Sequence, residues 1–480
     1  MEYNGLREFI RILEERSLLK RINVEVDPSL EISELVNRVC KKKGPALLFE
    51  KVKGSDFPIL VNLFGSMERM KLALGVESFD EITSRITELL TPDIPKNILD
   101  KIKSIPKIKK LNDYIPKIVK KARCKDVIIK DNPSLDVFPI LKTWPKDAGR
   151  FITLPLVFTK DPNSYINNVG IYRMQVYDER KTAIHWQINK HGAKHYKIAE
   201  EKGEKLEVAV VIGTDPRIIY AASSPLPDDI DEILFASFLR GRPVELVKCE
   251  TVDIYVPADS EIVLEGYVEP YKREIEGPFG DHTGHYSLIS PYSVFHINCI
   301  THRKDPIYVT TVMGKPPMED AYIGKSSERI FLSIIKKILP EIVDINLPIE
   351  GGFHNIAFVS INKRYPGHAY KVMHALWGLG QMSSTKMIFI FDADADVQNI
   401  GEVLWRIGNN VDPKRDITIV KGPIDSLDHA SDIPDFGSKI GIDVTRKWKS
   451  EGFYREWPDE VEMDEDVKSL VDRRWKEYGI

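Results

Sequence analysis

The sequence predicts a multidomain α/β protein with a strand-rich centre, on three observations. At 480 residues the chain exceeds one ordinary core, so two to four domains are expected. Strand-like apolar runs crowd residues 126–313, interrupted by only two helical stretches, which is the pattern of a barrel or sandwich. Before residue 95 and after residue 314 strands and helices alternate, as in α/β layers. The expected division is an N-terminal α/β domain over 1–95, a basic linker over 96–125 and a central β domain over 126–313. A C-terminal α/β sandwich over 314–445 and a tail over 446–480 ending in a helix complete it.

Taken in order, Leu6, Phe9, Ile10, Leu13 and Leu18 fall near helical spacing, so residues 5–19 read as an amphipathic helix. Arg21–Val26 alternates as a strand does, and Asp27-Pro28 reads as an N-cap with Pro at the first helical position, opening a helix to Cys40. Ala46–Phe49 and Ile59–Leu63 read as strands and Met67–Leu90 as mostly helical. Residues 96–125 carry eleven Lys or Arg against Asp100 and Asp113. A solvated linker accounts for this segment, and attraction to an anionic lipid surface is the alternative.

In the central domain strands are expected at Val127–Lys130, Phe151–Thr159, Val169–Tyr177, Thr182–Ile188, Leu206–Ile212, Ile218–Ala222, Pro243–Val256, Ile262–Val268, Val294–Thr301 and Ile307–Val312. Helices are expected around Lys194–Lys202 and Ile230–Leu239. The C-terminal domain reads as helices Ser326–Lys337, His368–Leu379 and Val397–Ile407 among strands Ile342–Leu347, Ile356–Asn362, Met387–Phe391 and Ile417–Val420. The tail holds a helix from Asp464 to Tyr478. Trp448, Trp457 and Trp475 want burial there, which a neighbouring subunit could give.

Composition narrows the class. Hydrophobic content of 42% with 29% charged residues suits a soluble globular protein, and a net charge of −4 gives no bias toward nucleic acid. Cys40, Cys124, Cys249 and Cys299 stand too far apart for a zinc ribbon or dithiol motif, and reduced thiols are the default. The start is not a secretory signal, and runs such as Val208–Ile212 are strand-sized. A cytoplasmic protein is expected, at most peripheral to the inner face of a membrane.

The densest chemistry lies at Glu274–Tyr286, Glu-Ile-Glu-Gly-Pro-Phe-Gly-Asp-His-Thr-Gly-His-Tyr. Glu276 and Asp281 bracket a Gly-Pro-Phe-Gly turn that can aim both carboxyl groups at one point, where mutual repulsion would raise one pKa and supply a proton donor. A plain surface hairpin is the bland alternative. A metal-dependent hydrolase using Asp281, His282 and His285 is another.

Four further motifs carry polar chemistry. Asp392-Ala-Asp-Ala-Asp396 fails as a calcium loop, because Val397 and Val403 stand where Gly and Glu are needed; capping acids explain it. Gly324-Lys325-Ser326 lacks the earlier glycine of a phosphate loop, since residue 319 is Glu319. Asn167–Arg173 places an amide, a glycine and an arginine near the start of a strand, and Ile184–Gly192 mixes an aromatic plane with cations, as suits a flat phosphate-bearing ligand.

Together these segments resemble the UbiD family of decarboxylases. The marks are Asn-x-Gly-Ile-Tyr-Arg at 168–173, Glu-Gly-Pro-Phe-Gly-Asp-His-Thr-Gly at 276–284 and Gly-Lys-Pro-Pro at 314–317. Pro-Glu-Ile-Val-Asp at 340–344 and Tyr-Pro-Gly-His-Ala at 365–369 add to them, and the resemblance runs nearly the whole chain. It implies a central split β-barrel of flavin-reductase-like form and non-oxidative decarboxylation of an aromatic or α,β-unsaturated acid through a covalent adduct with prenylated FMN. It also implies Mn2+, with K+, at the flavin phosphate, held by Asn168 and Glu232. Ile171, Tyr172, Arg173, His185, Trp186, Gln187, Lys190 and His191 would line the cofactor, and Asp281, Glu276 and Arg173 would be catalytic, with Asp281 the proton donor.

Many members carry His where this chain has Asn189, and His191 is a substitute ligand. A flavin prenyltransferase would supply the cofactor, and assembly from dimer to hexamer is expected. Within the family the match points to quinone biosynthesis, on 4-hydroxy-3-polyprenylbenzoate for ubiquinone or a carboxylated naphthoate for menaquinone. A hydroxybenzoate or isoprenoid-pathway acid is an alternative substrate, and a non-catalytic flavin-binding paralogue an alternative class.

Overall fold

A computed structural model describes residues 3–90, 112–187, 190–227 and 230–480. Asn189 and residues 96–111 of the basic segment therefore lie outside the described residues.

The first helix, Leu6–Glu15, buries Leu6, Phe9, Ile10 and Leu13 on one face, as its spacing predicts. It covers a four-stranded sheet of Leu19–Ile22, Ala46–Phe49, Ile59–Val61 and Tyr308–Val309, the last arriving from the far end of the central domain. One expectation here is corrected. The second helix begins at Glu31, because Asp27 takes the Ser29 N–H at 2.8 Å in a turn of its own before the helix opens. Met67–Leu90 is two helices, Met67–Leu74 and Phe79–Leu90, parted by a left-handed Gly75.

The centre is a seven-stranded antiparallel sheet. Its main path runs Lys181–Ile184, Ser290–His302, Ile262–Glu276, Leu206–Ile212, Leu156–Lys160, Asn167–Ile171, with Val127–Ile129 on the edge of Ser290–His302. Among the described residues no ladder closes this path. Its two ends are tied by the chain itself, where Asn167–Ile171 runs on through Met174–Gln175 to the single bridge Val176–Thr182.

Ile218–Ala222 was expected as a strand and is a helix, Pro216–Ser223. Asp215 accepts from Arg217 N–H at 3.0 Å with Pro216 in the first turn, and this cap outweighs the β-branched Ile218-Ile219 pair. Pro243–Val256 divides into Glu245–Lys248 and Tyr255–Pro257. Residues 112–125 dock beside them: Lys117–Ile118 pairs with Glu245–Leu246, Cys124 is buried, and Lys125 Nζ reaches Glu250 at 2.7 Å.

The C-terminal sheet is ordered Ile342–Asn346, Ile356–Ile361, Met387–Asp392, Phe436–Asp443, Ile417–Pro423, with separate apolar clusters on its two faces. The helix Glu319–Ile338 takes in Lys325, whose Nζ is spent on Glu328, Asn346 and Gln398. Asp394 pairs with Arg406 and Arg446, and Asp392 accepts the Arg446 N–H, so the acidic run is structural. The tail helix Glu465–Arg474 leaves Trp475 half exposed. No helix among the described residues is long and apolar enough to cross a membrane.

Candidate active site

Glu276 is the last residue of the long strand Ile262–Glu276, and Asp281 lies five residues on, past a cis Gly277–Pro278 bond. The bend between them is fixed from outside. Gly277, at φ 92°, donates its N–H to Gln175 Oε1 at 2.8 Å; Gly280 donates to Asp147 Oδ1 at 2.8 Å. A Cβ at Gly280 would run into the Trp144 ring. Asp147 also takes the Trp144 N–H at 2.8 Å, so one buried carboxylate clamps both turns that shape the loop.

Arg173 comes from the segment linking Asn167–Ile171 to Met174–Gln175, and it meets both carboxylates. Its Nε lies 2.9 Å from Glu276 Oε1, its Nη2 3.2 Å from Glu276 Oε2, and its Nη1 donates to Asp281 Oδ2. Phe279 lies under the guanidinium at 5.0 Å. Side-chain exposure is 9% for Arg173, 0% for Glu276 and 6% for Asp281, so the charges act in low dielectric.

Burial opposes ionisation of Asp281, yet Arg173 and the hydrogen bonds of His282 outweigh it and hold the carboxyl far below its ordinary range. Burial likewise works against Glu276, and His185 with Arg173 again wins, keeping it lowered. His185 contributes through Nδ1, 3.1 Å from Glu276 Oε2, while its ring packs on Tyr292 at 4.2 Å. Both carboxylates are thus ionised at neutral pH.

A second constellation gathers Asn168, Glu232, Lys190 and His191. Glu232 opens the helix Glu232–Arg240, which Asp231 caps by accepting from Ile233 and Leu234 N–H at 2.7 and 3.1 Å; a left-handed Gly241 ends it. Glu232 Oε2 takes the Val169 N–H at 3.0 Å, beside Asn168, and its Oε1 lies 3.7 Å from His191 Nδ1. Asn168 reaches Thr159 Oγ1 at 3.4 Å, and His195 Nδ1 meets the same oxygen at 2.9 Å.

Lys190 is the N-cap residue of the twelve-residue helix His191–Lys202 and gives it no side-chain cap. Burial pushes the Lys190 ammonium down against the pull of Glu232 and Asp425. A carboxylate, an imidazole and an amide oxygen are donors that suit a divalent cation, and a buried ammonium suits a phosphate, so Glu232, His191, Asn168 and Lys190 would hold the metal and the phosphate-bearing cofactor.

Between the two constellations run Ile171, Tyr172, Trp186 and Gln187. Tyr172 is buried and its hydroxyl accepts the Gly192 N–H at 3.1 Å; Trp186 stands edge-on to it at 5.0 Å and donates Nε1–H to Ser293 at 2.6 Å. Ile171 and Gln187 are half-buried. His185 joins this strip to the acid pair through its contact with Glu276.

Three participants escaped the sequence reading. His195 sits one helical turn after His191, a spacing that would have found it. Tyr292 and His354 had no local signal: each is brought in by folding alone. His282 follows Asp281 directly. It donates N–H to Asp281 Oδ1 at 2.7 Å, brings Nδ1 to the same oxygen at 3.0 Å, and meets His354 of the C-terminal domain, Nε2 to Nε2, at 2.8 Å.

Comparison with known proteins agrees along the whole chain. Residues 10–86, 117–316 and 321–444 match the N-terminal, Rift-related and C-terminal domains of the 3-octaprenyl-4-hydroxybenzoate carboxy-lyase family, UbiD. An uncharacterized protein of Archaeoglobus fulgidus is 53% identical over 479 residues, covering 99% of both chains. Vanillic acid decarboxylase of Sedimentibacter hydroxybenzoicus in closed form superimposes with a TM-score of 0.86 at 28% identity, over 99% of this chain and 100% of that one. Its open form gives 0.77 at 27%, over 100% and 99%. The UbiD-class enzyme HmfF of Pelotomaculum thermopropionicum in complex with FMN gives 0.80 at 30%, over 98% and 100%. An evolved dimeric form of HmfF in complex with prFMN gives 0.79 at 29%, over the same shares.

Proposed function

The chain belongs to the UbiD family and is a carboxy-lyase, and from that premise we propose that it decarboxylates an aromatic or α,β-unsaturated acid non-oxidatively with prenylated FMN. The observation that carries this is the buried Arg173 held by Glu276 and Asp281. A lone guanidinium between two carboxylates is what a substrate carboxylate could enter and partly displace.

Arg173 orients the substrate carboxylate, and Glu276 keeps the guanidinium aimed through its two-point contact. A substrate carboxylate drawing Arg173 away from Asp281 removes the main support of the Asp281 anion. Burial then favours the neutral acid, so the donor is armed only when substrate is present. The protonated Asp281 gives its proton to the carbon that lost CO2, and the low exposure of the trio keeps water from competing. When bound, the modified flavin supplies the electron sink that an aryl or vinyl carbon lacks.

Lys190 would hold the flavin phosphate. Asn168, Glu232 and His191 would hold Mn2+ beside it, with Tyr172 and Trp186 against the ring system. The two HmfF complexes with FMN and prFMN support this reading. The substrate proposed is a quinone-pathway acid, 4-hydroxy-3-polyprenylbenzoate or a carboxylated naphthoate. A small hydroxybenzoate is the second reading, favoured by the 0.86 superposition on vanillic acid decarboxylase.

Production beside a flavin prenyltransferase tests the proposal. Mass spectrometry of the bound cofactor should show the prenylated flavin, and a screen of benzoate and naphthoate acids should show CO2 release. Plain FMN with no turnover on any acid would overturn it.

A further inference from the structure

Each turnover converts R–CO2− and one H+ into R–H and CO2, so a buried Asp281 that protonates carbon must be recharged through the protein. We propose that His282 and His354 form a proton wire that carries solvent protons across the domain boundary to Asp281. This rests on the reading of Asp281 as proton donor.

Two imidazole nitrogens cannot approach to 2.8 Å unless one carries a proton and the other a lone pair, so His282 Nε2 and His354 Nε2 share one proton. At the inner end, His282 Nδ1 lies 3.0 Å from Asp281 Oδ1. At the outer end, the His354 side chain is 22% exposed, while its Nδ1 is buried and has no hydrogen-bond partner among the described residues. The wire therefore has a filled inner terminus and an unpartnered outer nitrogen, which one bridging water would join to the surface.

Transfer balances without any other reagent. His282, held cationic beside Asp281, passes the proton on Nδ1 to Asp281 Oδ1 and is left neutral. Both rings then turn over, His354 passes a ring proton to His282, and a proton from water replaces it on His354. One proton enters and one leaves, and His282 regains its charge.

The surrounding charges set the direction. His282 faces Asp281, the buried carboxyl of Asp320, Asp425 and the Phe353 ring; His354 faces His282, Asp425 with an oxygen at 3.9 Å, Asp428 and Phe353. Burial works against the His282 cation, but Asp281 outweighs it and lifts His282 to about 9. Burial and the His282 charge push His354 down to about 4. A proton taken up at His354 thus falls inward to His282.

Because His354 lies beyond Gly351 in the C-terminal domain, the wire exists only while that domain sits against the loop. Substrate entry with the domains apart would interrupt it.

The test uses cofactor-loaded enzyme with His354→Gln, His354→Ala and His282→Asn; the Asn variant keeps a donor toward Asp281 but cannot relay. Turnover should fall about 10²-fold in each, with substrate KM close to the parent's throughout and melting temperature close to the parent's in the two His354 variants. Added imidazole should restore His354→Ala, and the solvent isotope effect should rise. Turnover within about twofold of the parent in His354→Gln and His282→Asn overturns the wire.

Nitrogen-15 spectra of histidine-labelled apoprotein give a readout independent of turnover. His282 and His354 should titrate as a pair, and His354→Gln should shift the His282 titration. Two independent titrations overturn the wire. A parent enzyme inactive on every acid would instead count against the functional reading, with the spectra still deciding the wire.

Discussion

Arg173 grips Glu276 with two nitrogens, Nε to Oε1 at 2.9 Å and Nη2 to Oε2 at 3.2 Å, across 103 residues of sequence. A two-point contact fixes the plane of the guanidinium as well as its position, which a single charge pair cannot do. Arg173→Lys should therefore keep the charge and lose the orientation, lowering decarboxylation by about 10²-fold or more. Arg173→Ala should abolish it and also destabilise the fold by about 3–5 kcal/mol, because two buried carboxylates lose their partner. Denaturant titration beside the activity assay separates the two effects.

Asp281→Asn removes the proton but keeps the shape. Turnover on loaded enzyme should fall by about 10²–10⁴-fold while cofactor content, read by mass spectrometry, stays unchanged. A variant that stays active would show that another group supplies the proton.

Stability should depend on pH through the same residues. The folded pKa values of Asp281 and Glu276 are depressed, so their contribution is present above the ordinary carboxylate range and lost as pH falls through the folded values. His282 is raised to about 9, so its contribution is complete below the unfolded value of 6.5 and lost as pH rises toward 9. Urea midpoints should be flat from about pH 5 to 6 and decline on both sides. His282→Asn should remove the alkaline decline.

Metal binding should respond to Glu232 and His191 more than to Asn168, since a carboxylate and an imidazole are the stronger donors of the three. Glu232→Gln should weaken Mn2+ binding to the reconstituted protein by at least about tenfold, measured by metal content after dialysis. His195→Ala, one shell further out at Thr159, should have a smaller effect in the same direction.

Gly280 is required by packing. A methyl group there would meet Trp144, whose Nε1–H is fixed to Met313 O at 2.8 Å and cannot yield freely. Gly280→Ala should cost about 1–3 kcal/mol in denaturant melts and move Asp281 out of reach of Arg173.

Much of this was legible beforehand. The helix at Leu6–Glu15 was read from its apolar face, and Glu276 and Asp281 from two carboxylates bracketing a bend. The strand misread at Ile218–Ala222 shows where local reading fails: two β-branched residues argued for a strand, and the Asp215 cap, equally local, argued for the helix that forms. Asp27-Pro28 failed the other way, a good capping pair spent on a turn.

What the sequence determined by itself is the inventory: three domains' worth of elements, an acid-bearing bend, and an arginine and an amide in one short block. Tertiary structure decided who meets whom. His185 came to Glu276, His191 to Glu232, and His282 found His354 from another domain, 72 residues away. Helix and strand periodicity follow from neighbours along the chain. A hydrogen bond between distant segments depends on how sheets and domains pack, and no local pattern encodes it.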